Sequence, residues 1–233
     1  KNINTAEDFR ISHARSTRIN PLLVDVKRMH TAVKKKIVIN GHDLKFIGEF
    51  ESYLKKLGHQ VRRDVWGWGD PIKLERSKAL ADWGEVIFSE WGLANAVWYS
   101  ENISQDKRHI IRIHLQEINK RARKFPPQIN LTNVSKIVFI AEHVRNTAIE
   151  LFDWPIEKTM TISNFVDVDK FDMAKTEDAE RTIAIIGIVP QRKRLDRAID
   201  LLIGLHRRDK RWKLIVKGNL PHDYAFMHAP GRK

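Results

Sequence analysis

The sequence predicts an α/β protein with two doubly wound parallel-sheet lobes, the second of them incomplete in this chain. From residue 36 onward, short apolar runs that suit buried strands alternate with stretches of helical periodicity, which is the pattern of repeated βαβ units. The alternation lapses between Ser163 and Glu180 and then starts again. The second stretch holds about 50 residues, too few for a sheet of the usual five strands or so, so we expect the chain to be part of a longer protein.

The first lobe is predicted over residues 36–166. Its first helix has one apolar face and ends before Gly58, a residue type that suits the position after a helix. A basic helix is expected after the fourth strand, and Pro126 and Pro127 break it. In chain order the predicted strands cover residues 37–39, 60–65, 85–88, 110–114, 136–141 and 160–162, and the predicted helices cover residues 46–57, 95–99, 115–125 and 144–152.

The second lobe is predicted over residues 167–233, as the start of a further sheet. The pattern gives a strand over residues 181–187, a helix over 195–205 and a strand over 212–218. Residues 1–35 differ from both lobes because they are polar and lack sustained alternation. We interpret them as an N-terminal extension in which Pro21 opens a helix.

Composition limits the classes of ligand and of site. Lys and Arg total 42 against 29 Asp and Glu, which gives a net charge of +13. Such a field attracts nucleic acid, anionic lipid headgroups or phosphorylated small molecules. No apolar run approaches the ~18 residues of a membrane span. Cysteine is absent, which excludes disulfides and thiolate metal sites and fits a reducing compartment. We therefore expect a cytoplasmic protein.

Most of the excess positive charge lies in two segments. Residues 105–125 hold seven Lys and Arg against two carboxylates, and residues 180–217 hold eleven against four. Each segment surrounds a strand–loop–helix junction, and ligands of open α/β sheets bind outside the carboxyl ends of strands. The two junctions therefore predict an anion site. The alternative is that these cations are solvated helix faces, as most charged residues are.

The loop over residues 187–194 is the sharpest local feature of the second segment. It connects a predicted strand that ends at Gly187 to a predicted helix, and it places Arg192, Lys193 and Arg194 at the helix start. Cations there oppose the helix dipole unless an anion such as a diphosphate binds between them. The loop is not a P-loop, because the second glycine and the hydroxyl residue are missing. A plain turn with solvated cations remains the alternative.

His114 stands at the end of a predicted strand, three residues before Glu117. A histidine there can position an acceptor or handle a proton at neutral pH, although a structural histidine is the alternative. The ten histidines show no zinc-binding spacing, so no metal is expected. The paired carboxylates Asp167 and Asp169 lie in the segment between the lobes rather than in a suitable loop.

Tryptophan is frequent, with seven residues in the chain. Trp66 and Trp68 flank Gly67 in a loop, and Trp91 and Trp98 lie near a predicted strand end. Such rings can stack on a base or a sugar, and packing within the core or loops is the alternative. The sequence has no helix-turn-helix, RRM or KH signature, which speaks against nucleic acid as a partner.

Several segments, taken in order, resemble one known family. Residues 58–61 are similar to its Gly-His-x-Val, residues 112–117 to the Arg-x-His-x-x-Glu of one branch, residues 162–171 to its Pro-Asn-Gly-Val-Asp-x-x-x-Phe, and residues 187–195 to its Gly-Arg-x-x-x-x-Lys-Gly loop. Residues 41–47, 87–92, 95–100 and 214–218 are similar to its strand and loop elements. The chain thus resembles GT-B fold glycosyltransferases of the GT4 type (group 1 glycosyltransferases) over about residues 36–227.

The resemblance implies two Rossmann-like lobes, with an acceptor lobe first and a donor lobe second. It implies that His114 is a catalytic-site residue near the transferred sugar and that Arg112 and Glu117 support the acceptor side. It also implies that Lys193 contacts the diphosphate of the donor. The full set expected at the donor diphosphate is Gly187, Arg192, Lys193 and Arg194.

The chain departs from the family pattern in two places. Ile188 stands where the family has a second basic residue for the diphosphate, and either Arg192 or Arg194 is expected to replace it. The late Glu-x7-Glu segment, which resembling enzymes use for the donor sugar and ribose, is not found in this sequence. The donor site is therefore expected to be incomplete in this chain.

The expected function is that of a glycosyltransferase in polysaccharide or glycan biosynthesis. A nucleotide-sugar would be the donor and a saccharide or a lipid-linked sugar the acceptor, with no cofactor and no metal. If the acceptor is a lipid-linked sugar, the basic helix over residues 115–125 is expected to dock on the anionic inner face of a membrane, where basic residues contribute about 1 kcal/mol each. A solvated helix face is the alternative. Two alternatives stay open: a non-catalytic sugar- or nucleotide-binding fragment of the same fold, and a basic nucleic-acid-binding protein.

Overall fold

The computed structural model describes residues 33–68, 73–120, 122–224 and 228 of the 233-residue chain. The predicted N-terminal extension, residues 1–35, lies outside the described residues except for its last three, and so does its expected helix from Pro21. By its contacts the chain divides into two units, Lys1–Phe165 and Val166–Lys233.

The first unit contains a six-stranded sheet in which all neighbouring strands run parallel. The strands lie in the order β2-β1-β3-β4-β5-β6. This confirms the predicted α/β class and the predicted parallel sheet of the first unit. The strands are β1 (Lys36–Gly41), β2 (Gln60–Val65), β3 (Val86–Glu90), β4 (Arg108–Ile113), β5 (Lys136–Phe139) and β6 (Thr159–Thr161).

Helices cover both faces of the sheet, and the core lies between the sheet and the helices on each face. Five consecutive residues of β1 are buried, as expected of a parallel strand that is covered on both faces. Ile39, Ile111 and Ile137 are fully buried, and burial of such side chains stabilises the fold by about 1.5–3 kcal/mol each. The helices are α1 (Gly48–Lys56), α2 (Leu74–Trp83), α3 (Ala94–Asn102), α4 (Leu115–Ile118) and α5 (Glu142–Phe152).

The strand order creates a switch point between β1 and β3. The chain leaves β1 to form β2 on one side and then returns to form β3 on the other side of β1. Helices that follow two such strands lie on opposite faces, which opens a crevice at the carboxyl ends of the strands. In this unit Gly41 ends β1 and Glu90 ends β3, directly opposite each other in the sheet register.

Helix α2 was not predicted, and the reason is the composition of its buried stripe. The helix buries Ser77, Leu80 and Ala81. Two of these three side chains are small and one is polar, so the apolar periodicity that reveals an amphipathic helix is weak. Burial of Ser77 is tolerated because its hydroxyl donates a hydrogen bond of 2.6 Å to Asp64 Oδ2.

The predicted basic helix over residues 115–125 is wrong. Helix α4 ends at Ile118, and Asn119 has extended backbone with ψ of 147°. The Arg123 Nε donates a 3.0 Å hydrogen bond to the Ile118 carbonyl oxygen, so a side chain satisfies an acceptor that a longer helix would satisfy with a backbone N–H. Arg121 lies outside the described residues. Among the residues described, no helix combines the length and the apolar character needed to cross a bilayer.

The second unit contains a two-stranded parallel sheet and one longer helix. Strand β7 (Thr182–Ile186) pairs with β8 (Lys213–Lys217), and helix α6 (Leu195–His206) connects them. The strand–helix–strand order predicted for this stretch is confirmed. The lapse before it contains two 3₁₀ turns, Val168–Lys170 and Glu177–Arg181.

Candidate functional site

The candidate site lies at the carboxyl ends of β3 and β4. Glu90 is the last residue of β3, and Arg112 lies beside it in the register of β4. His114 follows the end of β4 directly. The three side chains therefore emerge at one edge of the sheet, next to the β1–β3 switch point, where open α/β sheets bind ligands.

The Glu90 carboxylate lies in contact with both the His114 imidazole and the Arg112 guanidinium. Its side chain is fully buried, and its Oε1 lies 2.9 Å from Nε2 of His114. Nη1 of Arg112 lies 3.6 Å from Oε2 of Glu90, and Nη2 of Arg112 donates a 2.7 Å hydrogen bond to Asn164 Oδ1. Oε2 of Glu90 itself has no hydrogen-bond partner among the described residues. A buried carboxylate is thus held between a guanidinium and an imidazole.

Two aromatic rings fix the plane of the His114 imidazole. The Trp91 ring stacks on it with centroids 4.1 Å apart and an angle of 27° between planes. The Phe46 ring lies 5.7 Å away. Trp91 has a φ of +76°, a conformation that is unusual for a bulky residue and that persists when the surrounding structure enforces it. Here the Trp91 Nε1 donates a 2.8 Å hydrogen bond to the Asp43 carbonyl oxygen.

The Glu117 side chain binds backbone N–H groups of two loops at the same edge of the sheet. Its Oε1 accepts the backbone N–H of Gly92 at 3.0 Å and that of His114 at 3.2 Å. Burial raises the pKa of the Glu117 carboxyl to about 7. Its second oxygen is enclosed and has no hydrogen-bond partner among the residues described. Glu117 therefore fixes the two loops that carry Trp91 and His114.

A second aromatic group follows β1 and β2. His42 Nδ1 donates a 2.5 Å hydrogen bond to the Gly67 carbonyl oxygen, and its ring stacks on Trp68 at 5.0 Å. Trp66 is buried and donates from Nε1 to the buried carboxylate of Asp64 at 3.0 Å. Trp66 and Trp91 thus pack in the interior, whereas Trp68 remains 61% exposed.

The predicted diphosphate loop belongs to the second unit. Gly187 has a φ of +77°. The Lys193 side chain lies across it, since a Cβ on Gly187 would be 3.4 Å from Lys193 Cε and 3.7 Å from its Nζ. A Cβ on Gly218 would lie 3.1 Å from the Gly187 Cα. The two strand ends therefore approach closely because both residues are glycines.

The three cations of this loop differ in their surroundings. Arg194 has left-handed backbone with a φ of 58°, and its guanidinium binds the Asp196 carboxylate with contacts of 2.6–3.1 Å. The hydrogen bonds from Arg194 lower the pKa of Asp196 to about 2. Arg192 and Lys193 are exposed, and neither forms an ion pair or side-chain hydrogen bond with the residues described. These two remain free for an anionic ligand.

Within the described ranges, no group of three His, Asp or Glu side chains is placed to hold a metal ion. A cavity of about 430 Å³ is lined by residues that include Lys36, Trp83 and Arg108. Lys36 and Arg108 begin β1 and β4, and Trp83 ends α2 shortly before β3 begins. The cavity therefore lies at the edge of the sheet opposite Glu90 and His114.

No family model matches the chain, and no curated protein matches it. A functional assignment therefore depends on the chemistry of the site.

The structure brings together the residues that the sequence predicted on the acceptor side, Arg112, His114 and Glu117. The sequence did not single out Glu90 as a site residue, although Glu90 lies within residues 87–92, which resemble a strand and loop element of the family. The signal that could have found it is a carboxylate at the end of an apolar strand, since strand ends of a parallel sheet meet at one edge. Together the groups offer a fixed imidazole, a guanidinium and two buried carboxylates, which can orient a polar ligand.

Proposed function

We propose that the protein is a nucleotide-sugar-dependent glycosyltransferase, or part of one, with the GT-B fold and GT4 character. The donor would be a nucleotide-diphosphate sugar and the acceptor a saccharide or a lipid-linked sugar. The observation that carries the proposal is the convergence of Glu90, Arg112 and His114 at the switch-point edge of the parallel sheet. That edge is where open α/β sheets bind their ligands.

On this proposal the first unit forms the acceptor lobe. His114 lies near the transferred sugar, where a buried imidazole held between Glu90 and Trp91 can take a hydrogen bond from a hydroxyl. Arg112 and Glu117 keep the surrounding loops in place. Contacts with Trp91 and Phe46 already fix the imidazole before a ligand binds. Binding therefore loses less side-chain conformational entropy at His114.

The second unit would supply the donor diphosphate site. The free ammonium of Lys193 next to Gly187, with Arg192 nearby, supports this role. In the reaction the acceptor oxygen bonds to the anomeric carbon while the bond from that carbon to the diphosphate oxygen breaks. The hydroxyl proton passes to the departing phosphate oxygen. Cations at the loop stabilise the negative charge that develops on the diphosphate.

Calorimetric titration tests the proposal most directly. We expect the full-length protein to bind UDP, GDP or ADP, and to release the matching nucleoside diphosphate from a nucleotide-sugar in the presence of a saccharide acceptor. A DNA duplex is the comparison ligand. Tight duplex binding that falls steeply with salt, together with no heat from any nucleoside diphosphate, would instead favour a nucleic-acid-binding protein.

A further inference from the structure

We propose that Glu90 is a positioning residue that holds the His114 imidazole with its hydrogen on Nε2 and its acceptor lone pair on Nδ1. The lone pair then receives a hydroxyl group of the ligand. The identity of that ligand as a sugar rests on the proposed function, whereas the state of the imidazole rests on the geometry of the first unit alone.

The contact between the two side chains sets the position of the hydrogen. An ionised carboxylate only accepts hydrogen bonds, so Nε2 at 2.9 Å from Glu90 Oε1 must donate. The positive charge of Arg112, 3.6 Å from the second carboxylate oxygen, suits an ionised Glu90. In a neutral imidazole one ring nitrogen donates and the other accepts, which assigns the lone pair to Nδ1.

The imidazole cannot easily turn away from this arrangement. Its plane is fixed by the stack on Trp91 at 4.1 Å, and the residue is only 6% exposed. Nδ1 has no hydrogen-bond partner among the residues that the structure describes, although it belongs to a side chain that is more than nine-tenths buried. An acceptor that the fold leaves open in this way suits a hydrogen-bond donor from a ligand.

The chemistry of Nδ1 defines the class of group that it takes. A lone pair accepts a hydroxyl hydrogen but repels the oxygens of an ionised phosphate, which only accept. If His114 carried hydrogens on both nitrogens, the preference would be reversed. Glu90 thus selects a hydroxyl at this point of the site, whereas the diphosphate is expected at the free cations of the second unit.

The surroundings of Glu90 argue against a purely structural role. Its Oε2 is enclosed and accepts no hydrogen bond among the residues described, and a buried carboxylate that lacks partners weakens a fold. Glu90→Leu also leaves the Arg112 guanidinium and the His114 Nε2–H without their shared partner, and removing one member of a buried charged pair destabilises a fold. We therefore expect Glu90→Leu to be less stable than the wild type and to lose site function, whereas Glu90→Gln, which keeps an acceptor oxygen, should stay closer to the wild type in both.

Nitrogen-15 NMR of the histidine side chains tests the proposal. In the wild-type protein at pH 8 we expect His114 as the neutral tautomer with hydrogen on Nε2, assigned by comparison with His114→Gln. In Glu90→Leu the tautomer should change or become mixed, and in Glu90→Gln, which keeps an acceptor oxygen, it should persist. His109 is the internal control, because it is fully buried and bonded to Ser89 rather than to a carboxylate.

Hydrogen on Nδ1 of wild-type His114, hydrogens on both nitrogens, or a tautomer unchanged in Glu90→Leu would overturn the proposal. The wild-type spectrum alone decides the first two outcomes, so a variant that fails to fold does not remove the test. Glu85→Gln is the matched control variant. Glu85 is a half-exposed glutamate that directly precedes β3, and its carboxylate forms an ion pair with Lys35. This variant should leave the His114 signals unchanged.

Activity separates this inference from the proposed function. With a nucleotide-sugar and a saccharide acceptor, Glu90→Leu should lower kcat by roughly tenfold to a hundredfold, the effect of one lost hydrogen bond to the ligand. The affinity for the nucleoside diphosphate should stay the same, and Glu90→Gln should retain most of the activity. A wild-type protein without transfer activity would count against the proposed function, whereas the NMR result would still decide the role of Glu90.

Discussion

The Glu117 carboxylate accepts the backbone N–H of Gly92 at 3.0 Å and so links the first turn after β4 to the loop after β3. The loop can approach this closely because residue 92 is a glycine. A Cβ at that position would lie 2.1 Å from the Ile113 Cδ1, and Ile113 is fully buried. This one contact between the loops therefore fixes the backbone positions from which the Trp91 and His114 side chains enter the site.

The buried Glu117 should make stability fall as the pH rises. Burial raises the pKa of its carboxyl from 4.5 to about 7, so the folded state keeps a proton that the unfolded chain loses. The stabilisation is fully present below pH 4.5 and is lost as the pH rises through 7. Urea unfolding from pH 4.5 to 8 should show Glu117→Gln gaining up to about 3 kcal/mol relative to the wild type.

The matched control for this series is Glu157→Gln, which changes an exposed glutamate of the same unit. Its difference from the wild type should be constant over the same pH range. A Glu117→Gln variant whose difference from the wild type is equally constant would show that the carboxyl is ionised at neutral pH, and the assigned burial effect would then be wrong.

The buried His109 should have the opposite effect on the acid side. Burial lowers the pKa of its imidazole from 6.5 to about 3, so the folded state excludes a proton that the unfolded chain binds. The stabilisation is present above pH 6.5 and is lost as the pH falls toward 3, by about 1.4 kcal/mol per pH unit. His109→Gln should therefore lose less stability than the wild type between pH 6 and pH 4.

Denaturant unfolding at half-unit pH steps measures this difference. His143→Gln is the control, because His143 is exposed on α5, and it should follow the wild-type curve. Parallel curves for the wild type and His109→Gln would contradict the prediction.

The central strands β1, β3 and β5 could be predicted because most of their residues are buried and apolar, and the mostly exposed edge strand β2 was recognised from its place after a helix and a glycine. Strand β2 has the predicted bounds, and β1, β3 and β4 differ from theirs by one or two residues at each end. Helix α2 was missed because Ser77 and Ala81 make up most of its buried stripe. The helix expected to Phe125 was wrong because the Arg123 side chain satisfies the Ile118 carbonyl oxygen, a contact that no periodicity encodes.

The site could be predicted only where its residues are close in sequence. Arg112, His114 and Glu117 lie within six residues at one strand end, so spacing alone brings them together. Glu90 belongs to another strand, and its contact with His114 depends on the register of β3 against β4. The pairing of Arg194 with Asp196 follows from a left-handed backbone at Arg194, which charge patterning does not reveal.

The close approach of β1 and β3 at the switch point should not tolerate a side chain at Gly41. A Cβ there would lie 2.5 Å from the Glu90 backbone carbonyl oxygen, so the two strands would have to separate. We expect Gly41→Ala to destabilise the first unit by about 1–3 kcal/mol, as overpacking does. It should also displace Glu90 from His114, visible as a change in the His114 NMR signals.

Gly48→Ala is the control for this change, because nothing lies within 4 Å of a Cβ at Gly48. Its free energy of unfolding should stay within about 0.5 kcal/mol of the wild type. If the two alanine variants are equally stable, β1 and β3 can separate at Gly41 without a loss of unfolding free energy. The close packing assigned to this position would then be wrong.

The donor loop gives the prediction that bears most directly on the proposed function. Lys193→Ala should weaken nucleoside-diphosphate binding by about tenfold or more, because a charge-assisted contact to phosphate contributes about 1.5–3 kcal/mol. Arg192→Ala should weaken it as well, whereas Arg194→Ala should have a smaller effect, because the Arg194 guanidinium already binds Asp196. Arg192 is thus the residue that we expect to replace the basic residue missing at Ile188.

Calorimetry with UDP and GDP measures these affinities, and Lys210→Ala, which removes an exposed cation elsewhere in the second unit, controls for the loss of net charge. Folding of all variants should be unchanged, since exposed cations contribute little to a core. The double change of Arg192 and Arg194 to Ala should weaken binding only slightly more than Arg192→Ala alone. An affinity that falls equally in Lys193→Ala and Lys210→Ala would show that the phosphate senses only the overall positive field, and the role assigned to Lys193 would be wrong.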